Sequence, residues 1–109
     1  MLTIFDLDGT LVETYGTAPL PNVADSLVKI CDNGGHIAIA TNQAGPAWRI
    51  ATEDSKFPDI SSLTSRFQRI ARVLPALQSA PWFVSLFDER VSLRTSVYNN
   101  LVQQILTSS

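Results

Sequence analysis

The chain has little charge, almost no cysteine and no long apolar run. Charged residues make up 17% of its 109 residues, with 8 Lys and Arg against 10 Asp and Glu. A formal net charge of −2 offers no broad attraction to nucleic acid or to an anionic membrane. The single cysteine, Cys31, excludes an internal disulfide and a zinc site built from several cysteines.

Hydrophobic residues, at 45% of the chain, are sufficient for the core of one globular domain over residues 1–109. No apolar stretch approaches the length of a membrane span, and Met1-Leu2-Thr3 leads into a strand without a basic leader. A cytoplasmic location is therefore expected. Cys31 shares the apolar face of a predicted helix, so we expect it to be a small buried hydrophobe.

The segment Ile4–Val12 combines an apolar strand with two closely spaced carboxylates. Asp6 and Asp8 stand two positions apart, so along a strand they would point the same way. Their mutual repulsion is most simply offset by a divalent cation. Gly9 allows a tight turn or the close approach of a ligand, and Thr10 adds a hydroxyl. The alternative, an acidic strand end that caps the next turn, needs only one such acid.

This pattern of a hydrophobic strand followed by Asp-x-Asp-Gly-Thr-Leu/Val resembles the first motif of the haloacid dehalogenase-like (HAD) superfamily, most of whose members are phosphatases. The resemblance implies that Asp6 is a nucleophile that also ligates Mg²⁺, the expected cofactor. It implies that Asp8 is the general acid and base, with its backbone carbonyl on the metal. Backbone N–H groups near Gly9 and Thr10 would hold phosphate oxygens.

A second polar cluster, Thr41-Asn42-Gln43-Ala44-Gly45, follows a short apolar strand predicted at His36–Ala40. It resembles the second HAD motif, in which a strand ends in Ser or Thr, and this implies phosphate-binding roles for Thr41 and Asn42. Ligands also bind at the carboxyl ends of strands in open parallel sheets. The form Thr-Asn-Gln-x-Gly is similar to a subgroup that contains histidinol-phosphate, heptose-bisphosphate and polynucleotide 3′-phosphatases. The zinc loop of several members of that subgroup is not carried over to this chain.

Helices and strands are predicted to alternate. A helix opens at Pro21-Asn22 and ends at Asn33-Gly34-Gly35. Before it, the irregular stretch Glu13–Leu20 corresponds to the place where the family has a flap, although a simple connecting loop is the alternative. A second helix is capped by Asp59 or Ser61 and is ended or kinked by Pro75.

A third strand is predicted at Trp82–Phe87, and Thr95 or Ser96 caps a last helix with Val97, Leu101, Ile105 and Val102 as candidate inward residues. The resulting β-α-β-α-β-α order predicts an α/β fold. We expect a Rossmann-like three-layer α/β/α sandwich with a mostly parallel sheet, HAD-like and without a cap domain.

The region between Pro46 and Pro58 is predicted to be a loop or a broken short helix. Trp48 and Arg49 within it either line a substrate pocket or simply cover the edge of the core. On the second helix an arginine recurs every third residue, a row that drifts around the helix and therefore indicates a solvated face rather than a nucleic-acid stripe. The arginines of this row are Arg66, Arg69 and Arg72.

The HAD resemblance implies two further parts, a Lys that balances the phosphate charge and a later acidic pair that completes the Mg²⁺ site. In one interpretation Lys56 is that Lys, and Asp88 with Glu89 is the acidic pair, Asp88 ligating the metal. In the other, the chain stops before both motifs and holds only the first half of the site. The second interpretation is favoured, because no strand separates Lys56 from Thr41 and the Trp82 strand is only the third.

Two functions follow from these interpretations. The first is a Mg²⁺-dependent phosphatase that acts through an aspartyl-phosphate on a small phosphorylated metabolite or a nucleotide. The second is a non-catalytic HAD-like module that binds phosphate or a partner chain. An exposed sheet edge would then favour a homo-oligomer. No membrane partner is expected, and a nucleic-acid substrate is the weaker third option because no basic surface is evident.

Overall fold

A computed structural model describes residues 1–107 of the chain. It consists of β1 (Leu2–Phe5), α1 (Val23–Asp32), β2 (His36–Asn42), α2 (Gly45–Thr52), α3 (Ile60–Val73), a 3-10 turn (Pro75–Leu77), β3 (Trp82–Ser85) and α4 (Thr95–Thr107). The three strands form one sheet in the order β1-β2-β3. The predicted α/β class and its alternating order are confirmed, with α2 as an additional helix.

The described residues group into two compact units. The sheet unit contains Met1–Thr41 and Arg66–Val84. The second unit contains Asn42–Ser65 and residues 85–107. The single domain expected from the sequence remains a prediction.

The strands run parallel, as expected. β1 pairs with β2 in a register that runs from Leu2 opposite His36 to Phe5 opposite Ile39. The Ile39 N–H donates to the Pro81 carbonyl at 2.9 Å at the start of β3, and four residues further on Gln43 N–H donates to the Ser85 carbonyl at 2.7 Å. Because both partners advance by four residues, β3 runs parallel to β2.

The core of the sheet unit lies against one face of the sheet. Ile37 and Ile39 of β2 are buried there together with Leu27 of α1 and Ile70 of α3. Full burial of each such side chain contributes about 1.5–3 kcal/mol. The remaining buried members are Leu7, Leu11, Val12, Leu74 and Leu77.

On the opposite face of the same sheet, the two outer strands expose apolar side chains, whereas Ala38 of the central strand β2 is buried. Leu2 and Ile4 point there, since they alternate with Phe5, which packs on the core. Their exposed fractions are 57% and 60%, and that of Phe83 in β3 is 62%. Parallel sheets usually bury both faces, so this surface is unusual for the fold class.

Several boundaries confirm the local signals in the sequence. α1 ends where Gly35 N–H donates to the Ile30 carbonyl at 2.9 Å, with Gly34 at a φ of +77°. Asp59 caps α3, because its Oδ1 accepts from Ser62 N–H at 2.8 Å. Pro75 follows the end of α3 and opens the 3-10 turn.

Other predictions about local structure were wrong. Cys31 is exposed, because α1 packs on the core through Leu27 and Ile30, and Cys31 lies outside that contact in the last turn of the helix. By contrast, the alternative of a short, broken helix between Pro46 and Pro58 is confirmed, since α2 ends at Thr52 and the ring of Pro46 is tolerated in a first turn where no N–H partner is needed. β3 ends at Ser85 rather than at residue 87, and Val102 of α4 is exposed.

No helix within residues 1–107 is long and apolar enough to cross a bilayer.

Candidate phosphate and metal site

The chain turns sharply after β1, from Leu7 to Leu11, directly after the two predicted catalytic carboxylates. Leu7 is fully buried, and its carbonyl accepts from Leu11 N–H at 3.0 Å and from Val12 N–H at 3.3 Å. Gly9 adopts a φ of +74°, a left-handed conformation that glycine enters at little cost. The buried side chains of Leu7 and Leu11 fix the two ends of this turn in the core. The turn therefore holds Asp6 and Asp8 at the carboxyl end of β1.

The two carboxylates have different environments. Asp6 is exposed, and its Oδ1 accepts from Leu7 N–H at 2.7 Å. Asp8 is half-buried, and its Oδ1 accepts from Tyr15 N–H at 2.9 Å. The exposed Asp6 carboxylate is accessible to a metal ion or an incoming phosphate. The Asp8 carboxylate is held in place by its hydrogen bond, as a group that transfers a proton in a fixed geometry must be.

The stretch Glu13–Leu20, which we call the flap segment, folds back on the chain before it. Glu13 N–H donates to the Ala18 carbonyl at 2.9 Å, and Leu20 N–H donates to the Leu11 carbonyl at 3.0 Å. These antiparallel bonds form a narrow hairpin directly after the Asp-x-Asp turn. Tyr15, near its tip, has a φ of +61°.

Arg66 of α3 is paired with Asp8, which the arginine row in the sequence did not predict. Its Nη2 donates to Asp8 Oδ1, and its Nε donates to the Gly16 carbonyl at 2.9 Å. The side chains of Arg66 and Asp8 are only 13% and 19% exposed. The prediction that this row of arginines faces solvent is therefore wrong for Arg66, whereas Arg69 and Arg72 are exposed. A cation 58 residues away from an acid leaves no local signal in the sequence.

Thr41 lies at the carboxyl end of β2 and is 5% exposed. The register pairs Phe5 with Ile39, so Asp6 and Thr41 follow paired positions of adjacent parallel strands. The sheet unit therefore brings the acidic turn and Thr41 to the same edge of the sheet, where open parallel sheets bind ligands.

In the second unit, Asn42 is exposed at the end of β2. Gly45 allows close packing, because a Cβ there would lie 2.5 Å from Pro58 Cγ. Lys56 is exposed, and its backbone N–H donates to Asp54 Oδ1 at 2.9 Å. Its role at a phosphate remains a prediction.

Asp88 accepts hydrogen bonds from two residues within the second unit. Arg90 binds it through Nε at 3.1 Å and Nη2 at 2.8 Å, and Trp48 Nε1 donates to it at 3.2 Å. The side-chain hydrogen bonds of Arg90, then its backbone N–H and the Trp48 indole, hold the pKa of Asp88 well below its usual range. Asp88 in turn raises the pKa of Arg90. A metal-ligand role for Asp88, which remains a prediction, would require it to exchange these partners.

Trp48 and Arg49 both have structural contacts in the second unit. The Trp48 ring stacks on Phe57 with centroids 5.9 Å apart, and the Arg90 guanidinium lies 5.4 Å from the Trp48 ring centroid. Arg49 Nη1 donates to the carbonyls of Ser55 at 3.1 Å and Phe57 at 2.9 Å. These contacts favour the interpretation that both residues stabilise packing.

The donor atoms at the end of β1 are hard oxygens. Mg²⁺ prefers such ligands, uses few from the protein and keeps several waters, so Asp6 with the Asp8 carbonyl fits it better than zinc. Within residues 1–107 no group of three or more His, Cys, Asp or Glu side chains is arranged to hold a metal. Magnesium bound here would therefore depend on oxygens from substrate and water as well as from protein.

The comparisons with known proteins support the fold. No protein-family model matches the chain, and no curated protein matches it. Among solved structures, the chain is similar to D,D-heptose 1,7-bisphosphate phosphatase from B. bronchiseptica complexed with magnesium and phosphate, with a TM-score of 0.64 and 18% identity. The match covers 94% of this chain and 62% of that chain. The chain therefore shares the Rossmann-like α/β fold of this phosphatase and spans less than two thirds of that chain's length.

Proposed function

We propose that the protein is a Mg²⁺-dependent phosphatase, a phosphoric monoester hydrolase that acts on a small phosphorylated metabolite or a nucleotide. The observation that carries this proposal is the edge of the sheet where the Asp6–Asp8 turn and Thr41 follow adjacent parallel strands. The similar fold of a phosphatase complexed with magnesium and phosphate supports it. The proposal also includes a cytoplasmic location for the protein and its membership of the subgroup with the Thr-Asn-Gln-x-Gly motif.

The reaction begins with attack of the Asp6 carboxylate on phosphorus. The new P–O bond forms as the ester P–O bond breaks, and Asp8, which must be protonated at this step despite its contact with Arg66, donates that proton to the leaving oxygen. Asp8 then takes a proton from water, which attacks phosphorus and releases phosphate from Asp6. Thr41, Asn42 and the backbone N–H groups near Gly9 and Thr10 hold the phosphate oxygens. Bound Mg²⁺ supplies charge that offsets the repulsion between carboxylate and phosphate.

Hydrolysis of p-nitrophenyl phosphate with Mg²⁺ tests this proposal. We expect turnover in the wild type and none in Asp6→Asn, because an amide is not a nucleophile here. Asp32→Asn, at the exposed end of α1, is the matched control and should retain activity. Turnover that survives in Asp6→Asn, or an inactive wild type, contradicts the proposal.

A second candidate function is a non-catalytic module that pairs with another copy of itself. It is favoured by exposed apolar side chains on the two outer strands of the sheet, Leu2 and Ile4 on β1 and Phe83 on β3. The three strands contain no Asp, Glu, Lys or Arg, so a self-contact there meets no like-charge repulsion. Light scattering after size exclusion should give a dimer that Phe83→Glu dissociates and Val73→Glu, on α3, does not. A wild-type monomer at all concentrations contradicts this candidate.

A further inference from the structure

Arg66 connects three parts of the sheet unit that are distant in sequence. It projects from α3, its Nη2 donates to Asp8, and its Nε donates to the carbonyl of Gly16 in the flap segment. Asp8 also accepts from Tyr15 N–H, which adjoins Gly16. Arg66, Asp8, Tyr15 and Gly16 therefore form a closed ring of contacts.

We propose that Arg66 is a positioning residue of the candidate phosphate site, whose guanidinium holds the Asp8 carboxylate and the flap segment in one arrangement. Its consequence for catalysis rests on the proposed phosphatase function. Its structural part, that Arg66 fixes the flap segment against Asp8, stands on the contacts alone.

The chemistry of the side chain fits this role. A guanidinium presents several N–H donors in a rigid plane, so one group binds two acceptors in fixed directions. Hydrogen bonds between ions are stronger than those between neutral groups, and the low exposure of Arg66 and Asp8 limits screening by water. The flap segment needs such support, because Tyr15 adopts a left-handed conformation that is unfavourable for a residue other than glycine.

The consequence for catalysis is geometric. A general acid must lie within hydrogen-bond distance of the leaving oxygen, and a displacement of about 1 Å can reduce the rate about 100-fold. Arg66 does not belong to the set of residues that hold the phosphate in the proposed mechanism. Loss of the Arg66 contacts with Asp8 and Gly16 should therefore lower kcat more than it raises KM.

The structural part is tested by amide hydrogen exchange at Tyr15, measured by NMR on the full chain without ligand. We expect Arg66→Gln to accelerate this exchange about tenfold or more, since a charge-assisted contact is lost. Arg66→Lys keeps the positive charge but lacks the planar guanidinium that donates to two acceptors at once. This variant should give an intermediate rate of exchange. Arg69→Gln, at an exposed arginine of the same helix, should leave it unchanged.

Equal Tyr15 exchange in Arg66→Gln and Arg69→Gln overturns the proposal. Should Arg66→Gln fail to fold, Arg66→Lys decides, because wild-type exchange in that variant shows that the two-acceptor contact is not needed.

The catalytic part is tested with the same variants on p-nitrophenyl phosphate and Mg²⁺. We expect kcat to fall about tenfold or more in Arg66→Gln, with partial rescue in Arg66→Lys and little change in KM. Unchanged kcat in Arg66→Gln overturns the positioning role. If the wild type hydrolyses no phosphate ester, the proposed function fails, and the exchange measurement alone then decides whether Arg66 holds the flap segment.

Discussion

Asp8 and Arg66 form a largely buried ion pair that connects the turn after β1 to α3 across 58 residues of sequence. The Arg66 guanidinium also binds the Gly16 carbonyl, so a single side chain stabilises both the acidic turn and the hairpin that follows it. The pair is thus part of the packing of the sheet unit and also part of its candidate site.

This ion pair should contribute measurably to stability. Arg66→Gln should lower the free energy of unfolding by about 1–2 kcal/mol, because the Asp8 carboxylate loses its charged partner in a poorly hydrated position. In an Asp8→Asn background the same substitution should cost less, and the difference measures the coupling of the pair. Urea denaturation of the four proteins provides the comparison. Fully additive losses would show that the two side chains do not interact in solution.

Gly45 should be sensitive to the smallest enlargement. Gly45→Ala should lower the free energy of unfolding by about 1–3 kcal/mol, because its Cβ would lie 2.5 Å from Pro58 Cγ and the proline ring cannot move far. Pro58→Ala removes those ring atoms, so the double variant Gly45→Ala/Pro58→Ala should recover much of the loss. Chemical denaturation measures both. If Pro58→Ala gives no recovery, the contact is not the cause of the instability.

Asp88 should make stability depend on pH in the acid range. Its folded-state pKa lies below the ordinary value of 3.8, so it stabilises the fold above about pH 4 and this contribution is lost as the pH falls further. Asp88→Asn should therefore lower the Tm at pH 6, and the difference from wild type should shrink between pH 4 and pH 2. Glu89→Gln, at the adjacent exposed acid, is the control. A difference that stays constant with pH would exclude the ion pair with Arg90 as its source.

Leu7 should be far more sensitive to truncation than Ile4, although both are aliphatic and lie within two residues of Asp6. Leu7 is fully buried in the core, whereas Ile4 is 60% exposed. Leu7→Ala should lower the free energy of unfolding by about 2–5 kcal/mol, and Ile4→Ala by less than about 1 kcal/mol. Guanidinium denaturation distinguishes them. Similar losses would mean that the Ile4 face of the sheet is covered in solution.

The local features of the fold could be predicted because their causes are local. The apolar stretches and the Gly and Asn stop signals placed β1, α1 and β2, and Asp59 marked the start of α3 through its own side chain. The helix α2 was left undecided between a loop and a broken short helix, because two prolines and a mixed composition suggested an irregular region. The exposure of Cys31 was not predicted, because helical periodicity shows which face of a helix is apolar but not how far around the helix the buried part of that face extends.

By itself, the sequence determined that two acids and a threonine follow strand ends in an α/β chain, because strand patterns and turn residues are encoded within a few positions. The tertiary structure decided the charge environment of the acids. The contact of Arg90 with Asp88 joins residues only two positions apart, but the tertiary structure paired Asp8 with Arg66 and Asp88 with Trp48. Such pairings depend on which helix or loop packs beside a strand end. Periodicity cannot specify that neighbour, because it describes one element at a time.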